Sequence, residues 1–239
     1  NTNYYNTFKV MLVSLFPATL VVGPLIAEVF MNTLIITFVI EIIKNKEISF
    51  LKKKIFLLFS AFYIYLILNT FISDITNEVI LNVIFYIRFI IFSFAVFYVI
   101  QSNKQNIKII SLIFIITLFV VTLDGYIQYF FGQNLIGNTK YRIDRISGFF
   151  GDDLILGSFL FRLLPLYVAI IFFLKKNKSY FYLNLTLSLF IFGLIFLTGE
   201  RLAFLMSLLL LVITLLVIDI NNLKKLLIFL LIPIIFFVF

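Results

Sequence analysis

Of 239 residues, 63% are apolar and only 13% charged, with a mean hydropathy of +1.18 and 33 phenylalanines. A water-soluble domain could not hide that much apolar surface, so the chain reads as an all-α, polytopic transmembrane helical bundle. Cysteine and histidine are absent, which excludes disulfides, thiolate chemistry and imidazole ligands; no metal or cofactor is expected, and the net charge of +8, split among short loops, does not suggest nucleic acid.

At about 20 residues per crossing, spans are expected near 8–23, 25–43, 55–72, 79–100, 109–131, 153–174, 181–197 and 202–218. That makes about eight complete spans plus a truncated ninth from 226. The start at Asn1 and the stop at Phe239 inside an apolar run read as a fragment. Between Phe8 and Ile43 the only hairpin signal is Gly23-Pro24. The apolar run after Lys9 resembles a signal peptide, but a second span follows at once, so an ordinary first span fits better.

Lysines occupy alternate loops: Lys44, Lys46, Lys52, Lys53 and Lys54; Lys104 and Lys108; Lys175, Lys176 and Lys178; Lys224 and Lys225. By the positive-inside rule these face the cytoplasm, where they can touch membrane lipid headgroups, and the N-terminus lies inside. The turn at 73–78, the loop at 132–152 and the turn Thr198-Gly199-Glu200-Arg201 then face out. Residues 1–131 form an N-terminal set of helices, and 132–239 hold an outer arginine-rich loop and the start of a second domain, truncated at its C-terminal end.

In the fourth span Arg88 lies roughly 13 Å from the outer end of its helix at 1.5 Å per residue. An unpaired charge there is costly, so a structural ion pair is favoured, with Glu28 or Asp124 as partner. Asp124 also begins a polar patch, Asp124-Gly125-Tyr126-Ile127-Gln128-Tyr129, whose tyrosines suit an interface.

The loop 132–152 carries Lys140, Arg142 and Arg145 on the side that the rule leaves poor in basic residues. Its glycines, Gly148 among them, permit tight turns and close approach of a ligand to backbone N–H groups. Arginine offers a planar fork that gives one phosphate two parallel bonds, so the loop suits a lipid-borne anion. The alternative is a solvated loop in which Arg142 and Arg145 pair with Asp144 or meet headgroups. Asp152 and Asp153 close it, and the sixth span is expected to start near Asp153. Arg162 then stands nine residues in, roughly 13 Å deep, on a face shared with Ile155 and Ser158 and turned into the bundle. Pro165 should kink the helix beside it. Arg162 is either a functional charge or half of a buried ion pair.

Thr198-Gly199-Glu200-Arg201 joins two apolar helices with almost no loop. Thr198 can cap the second helix, whose first-turn N–H groups and dipole favour an anion beside Arg201. Glu200 points about 100° away, free to orient another group or to act as a base. The plainer reading is a capped hairpin with a snorkelling arginine.

The run from Arg145 to Pro165, together with Leu197-Thr198-Gly199-Glu200-Arg201 and the segment from Gln128 to Gly132, resembles the shared domain of the O-antigen ligase and O-antigen polymerase family. The resemblance implies a glycosyltransferase of the bacterial inner membrane, active at its periplasmic face. Such an enzyme passes a glycan from an undecaprenyl-pyrophosphate carrier to a lipid A-core or glycan acceptor. The family's pyrophosphate-holding arginines carry over to Arg145, Arg162 and Arg201. Arg142, Gly148, Asp152, Asp153, Ser158, Thr198, Gly199 and Glu200 are the expected substrate-binding neighbours. The family's large periplasmic loop and its histidine do not occur here, so the acceptor-activating base is expected beyond residue 239. The competing expectation is a secondary transporter or flippase, with Arg88, Arg162 and Asp124 along a substrate path.

Overall fold

The computed structural model describes residues 2–45, 54–72, 77–140, 145–173 and 178–217. The expected ninth span lies outside the described residues, as do the lysines at 46, 52, 53, 175, 176, 224 and 225. The described chain is helical throughout its apolar segments: α1 (Thr2–Val22), α2 (Pro24–Asn45), α3 (Lys54–Ile72), α4 (Asn77–Phe85), α5 (Ile87–Ser102), α6 (Lys104–Phe131), α7 (Leu156–Phe173), α8 (Lys178–Leu197) and α9 (Arg201–Val217). Four stretches are long and apolar enough to cross a membrane: Tyr4–Val22, Pro24–Asn45, Ile80–Ser102 and Gln105–Phe131. They point to a membrane protein. The shorter apolar stretches are Phe56–Thr70, Leu156–Phe172, Thr186–Leu197 and Arg201–Thr214, so among the described residues length and composition support four crossings rather than the eight expected there.

The chain divides into two compact units, residues 1–117 and 118–239. In the first, α1 and α2 form a hairpin at Gly23, which takes a φ of 154° and whose carbonyl accepts the Ala27 N–H at 3.2 Å. Pro24 then opens α2, where its missing N–H costs nothing. One stripe of α2, Ala27, Met31, Leu34 and Phe38, is buried at helical spacing. Leu34 and Phe38 meet Val10 and Val13 of α1 and Ile90, Phe94, Ala95 and Val99 of α5. Two ion pairs tie these helices: Lys9 with Glu41, and Arg88 with Glu28 through two parallel bonds of 2.9 Å. The Lys9 ammonium also stands over the rings of Tyr5 and Tyr98, 5.1 and 5.6 Å from their centroids.

The span expected over 79–100 is broken at Tyr86. The Tyr63 hydroxyl donates to the Ile84 carbonyl at 3.0 Å, and an unbroken helix would reserve that carbonyl for the Arg88 amide. Neighbouring bonds tighten to three-residue spacing, Tyr86 N–H to Val83 O and Phe89 N–H to Tyr86 O, each 3.1 Å. Arg88 therefore sits at the start of α5 rather than deep inside one long helix.

The second unit packs α7, α8 and α9 against one another. Leu156, Leu160, Leu164 and Tyr167 form the buried stripe of α7. Ile191, Leu194 and Ile195 of α8 and Ala203 of α9 are buried with them. The Tyr167 hydroxyl, fully buried, reaches the Asn184 carbonyl of α8 at 3.0 Å, as a polar group in an apolar interior must find a partner.

Candidate functional site

The last turns of α6 organise the loop that follows. The Gln128 side chain is buried, and its Oε1 accepts the N–H groups of Ser147 at 2.9 Å and Gly148 at 2.8 Å. Asp124, also buried, accepts the Leu135 N–H at 2.8 Å. Asn134 completes the set: its Oδ1 accepts from Ile136 and Asn138, and its Nδ2 donates to the Gly148 carbonyl at 2.9 Å. Gly148 has a φ of +56° and a Cβ there would stand 3.1 Å from an Asp124 oxygen, so its place in the loop is structural. Lys140 donates to the Tyr129 carbonyl at 3.1 Å, in the last turn of α6. A cation at a helix C-terminus is favourable, which accounts for a lysine in a segment otherwise expected to lack them.

Beyond the loop, α7 begins at Leu156 and not near Asp153. Asp152 and Asp153 are exposed in the turn before it. The residue preceding the helix is Ile155, whose carbonyl accepts the Phe159 N–H at 2.9 Å but whose side chain cannot cap. Glu200 supplies the cap from 43 residues away: its Oε1 accepts the Gly157 N–H at 2.7 Å, and its Oε2 accepts the Ser158 N–H at 2.9 Å and the Ser158 hydroxyl. A carboxylate here also meets the positive end of the α7 dipole. Gly157 makes the approach possible, since a Cβ would lie 2.5 Å from the Thr198 hydroxyl and 3.0 Å from Glu200 Oε1.

Thr198 does not cap α9 as expected. It is buried at the end of α8, and its hydroxyl turns back to the Ile195 carbonyl at 2.7 Å. Gly199, with φ +71°, reverses the chain, and the Glu200 carbonyl accepts the Phe204 N–H to start α9. Glu200 is therefore the backbone cap of α9 and the side-chain cap of α7, not a carboxylate free to serve as a base.

Arg145, Gly199, Glu200 and Arg201 line one cavity of about 590 Å³, completed by Phe196, Phe204, Leu205 and Leu208. Arg145 is half-buried and Arg201 exposed. No ion pair joins Glu200 to either of them among the described residues. From Arg201 to Leu208 the lining follows one face of α9 for roughly 10 Å at 1.5 Å per residue. One end holds Arg145 and Arg201 beside Glu200, whose carboxylate is bound to the α7 amides, and the other end is apolar, a shape that suits an anionic head on a hydrocarbon tail.

Arg162 is not among the lining residues. It is exposed, because two residues past the buried Leu160 is a rotation of about 200°. It does not look into the bundle as expected, and with α7 starting at Leu156 it stands roughly 9 Å along the helix rather than 13. Four residues separate it from Ser158, so it lies one turn further along the same side of α7. Arg142 and Asp144 lie outside the described residues. Asp124 and Arg88 are engaged locally, Asp124 with loop amides and Arg88 with Glu28.

No family model, curated protein or solved structure matches this chain. The chemistry of the site is read from its own atoms. Sequence reasoning passed over Asn134, and it noted Gln128 only as part of a polar patch and a resemblance. An Asn between a helix end and a Gly, Asn134-Leu135-Ile136-Gly137, is the signal that could have marked the loop's organising residue.

Proposed function

We propose that this chain is a membrane glycosyltransferase of the O-antigen ligase or polymerase type, seated in the bacterial inner membrane with its N-terminus cytoplasmic and its active face periplasmic. It transfers a glycan from an undecaprenyl-pyrophosphate carrier to a lipid A-core or glycan acceptor. The observation that carries this reading is the convergence of Arg145 and Arg201 on one cavity, which Glu200 also lines and whose far wall of Phe204, Leu205 and Leu208 is apolar. Two guanidinium groups can hold a pyrophosphate by forked, charge-assisted bonds, and Phe204, Leu205 and Leu208 suit the first isoprene units.

In the reaction, an acceptor hydroxyl oxygen forms the new bond to the anomeric carbon of the donor sugar. The bond from that carbon to the pyrophosphate oxygen breaks, and its electron pair leaves with the carrier. Arg145 and Arg201 stabilise the charge growing on that oxygen, a role that needs preorganised donors rather than a proton. The hydroxyl proton passes to a base, a role not assigned to Glu200 because three donors already hold its carboxylate. Of the three groups on which a transporter reading depends, two are engaged locally, Arg88 by Glu28 and Asp124 by the Leu135 amide, and the third, Arg162, is exposed on α7.

The test is genetic and chemical. The gene is deleted in its host and complemented with wild type or Arg201→Ala at matched membrane levels, and undecaprenyl-linked glycan and finished surface polysaccharide are quantified. Carrier-linked glycan should accumulate and surface product shorten or vanish, with rescue by wild type alone. Unchanged pools would refute the transferase, and defective solute movement with unchanged pools would identify a transporter.

A further inference from the structure

Glu200 presents a puzzle in electrostatics, because it lines a cavity whose arginines are set for an anion. A carboxylate in that place should repel a phosphate, and replacing it should strengthen binding. Its hydrogen bonds give the opposite expectation. The carboxylate is bound to the Gly157 and Ser158 amides and the Ser158 hydroxyl, so its charge is spent on the N-terminus of α7. The residue next to it in sequence is Arg201, the first residue of α9, and the residue before it is Gly199, with a left-handed φ of +71°. The buried Thr198 hydroxyl completes the turn, and Gly157 has no side chain to push it away.

We propose that Glu200 is a positioning residue: by clamping the turn 198–201 to the start of α7 it fixes the guanidinium of Arg201 where a lipid pyrophosphate is held. The inference rests on the anion-binding reading above and deepens it. Three residues divide the work. Arg201 touches the anion, Glu200 fixes Arg201, and Ser158 fixes Glu200. Glycine at 199 supplies the sharp reversal but no stiffness, since it has the widest conformational freedom of any residue. Without the clamp, the turn would hold its first α9 residue over a range of orientations, and forked binding tolerates little misplacement.

The experiment measures binding of inorganic pyrophosphate and of undecaprenyl pyrophosphate to the detergent-solubilised chain, for wild type, Glu200→Gln, Ser158→Ala, Arg201→Ala and the double variant Glu200→Gln/Arg201→Ala. Hydrogen exchange at the Gly157 and Ser158 amides is followed in the same samples. Glu200→Gln is expected to weaken both probes by roughly fivefold or more, as loss of preorganisation does. Ser158→Ala should weaken them in the same direction by less, and Glu200→Gln should add nothing once Arg201 is alanine. The two amides should exchange at least about tenfold faster in Glu200→Gln, the equivalent of one charge-assisted bond.

Tighter binding in Glu200→Gln would show a repelling carboxylate and overturn the inference while leaving the anion site standing. An added loss in the double variant would show that Glu200 acts on the ligand directly, and would overturn it too. Unchanged exchange at both amides would remove the clamp itself. If wild type binds neither probe, or Arg201→Ala binds both as wild type does, the anion reading falls and the inference falls with it. Where Glu200→Gln fails to fold, Ser158→Ala decides: unchanged affinity with unchanged amide exchange refutes the proposal.

Discussion

Gly157→Ala tests the junction of α7 with the turn 198–201 by the smallest possible change. In an exposed helix interior the substitution should stabilise, because alanine gains about 1 kcal/mol over glycine in propensity. Here the new Cβ would meet the Thr198 hydroxyl at 2.5 Å, Glu200 Oε1 at 3.0 Å and Glu200 Cδ at 3.1 Å. The Thr198 oxygen is held by its bond to Ile195, and the carboxylate by three donors, so neither yields without breaking a hydrogen bond. Overpacking costs about 1–3 kcal/mol, and a lost N-cap about 1 kcal/mol more. Against the gain in propensity, a net loss of about 1–3 kcal/mol remains. At roughly 2–4 °C per kcal/mol for a protein of this size, the melting temperature should fall by several degrees. Thermal unfolding in one detergent, compared with Leu166→Ala at an exposed position of α7, reads it out. A melting temperature at or above wild type would mean that propensity wins and that α7 does not approach the turn as closely as described.

Four further outcomes rest on named contacts. Both side chains of the Arg88–Glu28 pair are partly exposed, so Arg88→Met or Glu28→Gln alone should each cost about 1 kcal/mol, less than for a buried pair, while the double variant recovers at least half; unfolding of all four proteins measures the coupling. Gln128→Ala strips the acceptor from the buried Ser147 and Gly148 amides and should speed proteolysis within the loop 132–148 several-fold, with intact cleavage rates counting against the network. Arg201→Lys should reduce glycan transfer at least tenfold, and Lys108→Arg should leave it unchanged, because an ammonium cannot reproduce the forked contact; equal activities would remove Arg201 from the site. Leu208→Gln should weaken undecaprenyl pyrophosphate but not inorganic pyrophosphate, since it alters only the apolar end of the cavity; equal losses would refute a lipid tail along α9.

What could be read from the sequence was local, and what could not was made by contact between distant segments. The apolar runs located the described helices, except that the run expected over 79–100 is two helices, because long stretches with few charges have few alternatives, and Gly23-Pro24 marked its hairpin because both residues act on their own backbone. The Arg88–Glu28 pair was within reach because a charge inside an apolar run demands a partner and few acids stood in the neighbouring runs. The break at Tyr86 was not, since the contact made there comes from the Tyr63 hydroxyl, 21 residues upstream of Ile84. Arg162 was misdirected by one error of boundary: three residues' shift in the start of α7 moves its depth by about a third, and the face it takes is set by which stripe the core claims. Glu200 shows the same limit most plainly. Alone it is an acid beside an arginine, and a base, an ion-pair partner or a ligand contact fit equally well. The hydrogen bonds it makes depend on two features that belong to α7, the lack of a capping side chain at Ile155 and the lack of any side chain at Gly157. A helix that does not cap itself and leaves room at its second residue can accept a carboxylate from elsewhere in the chain, and the one that comes is the sequence neighbour of Arg201.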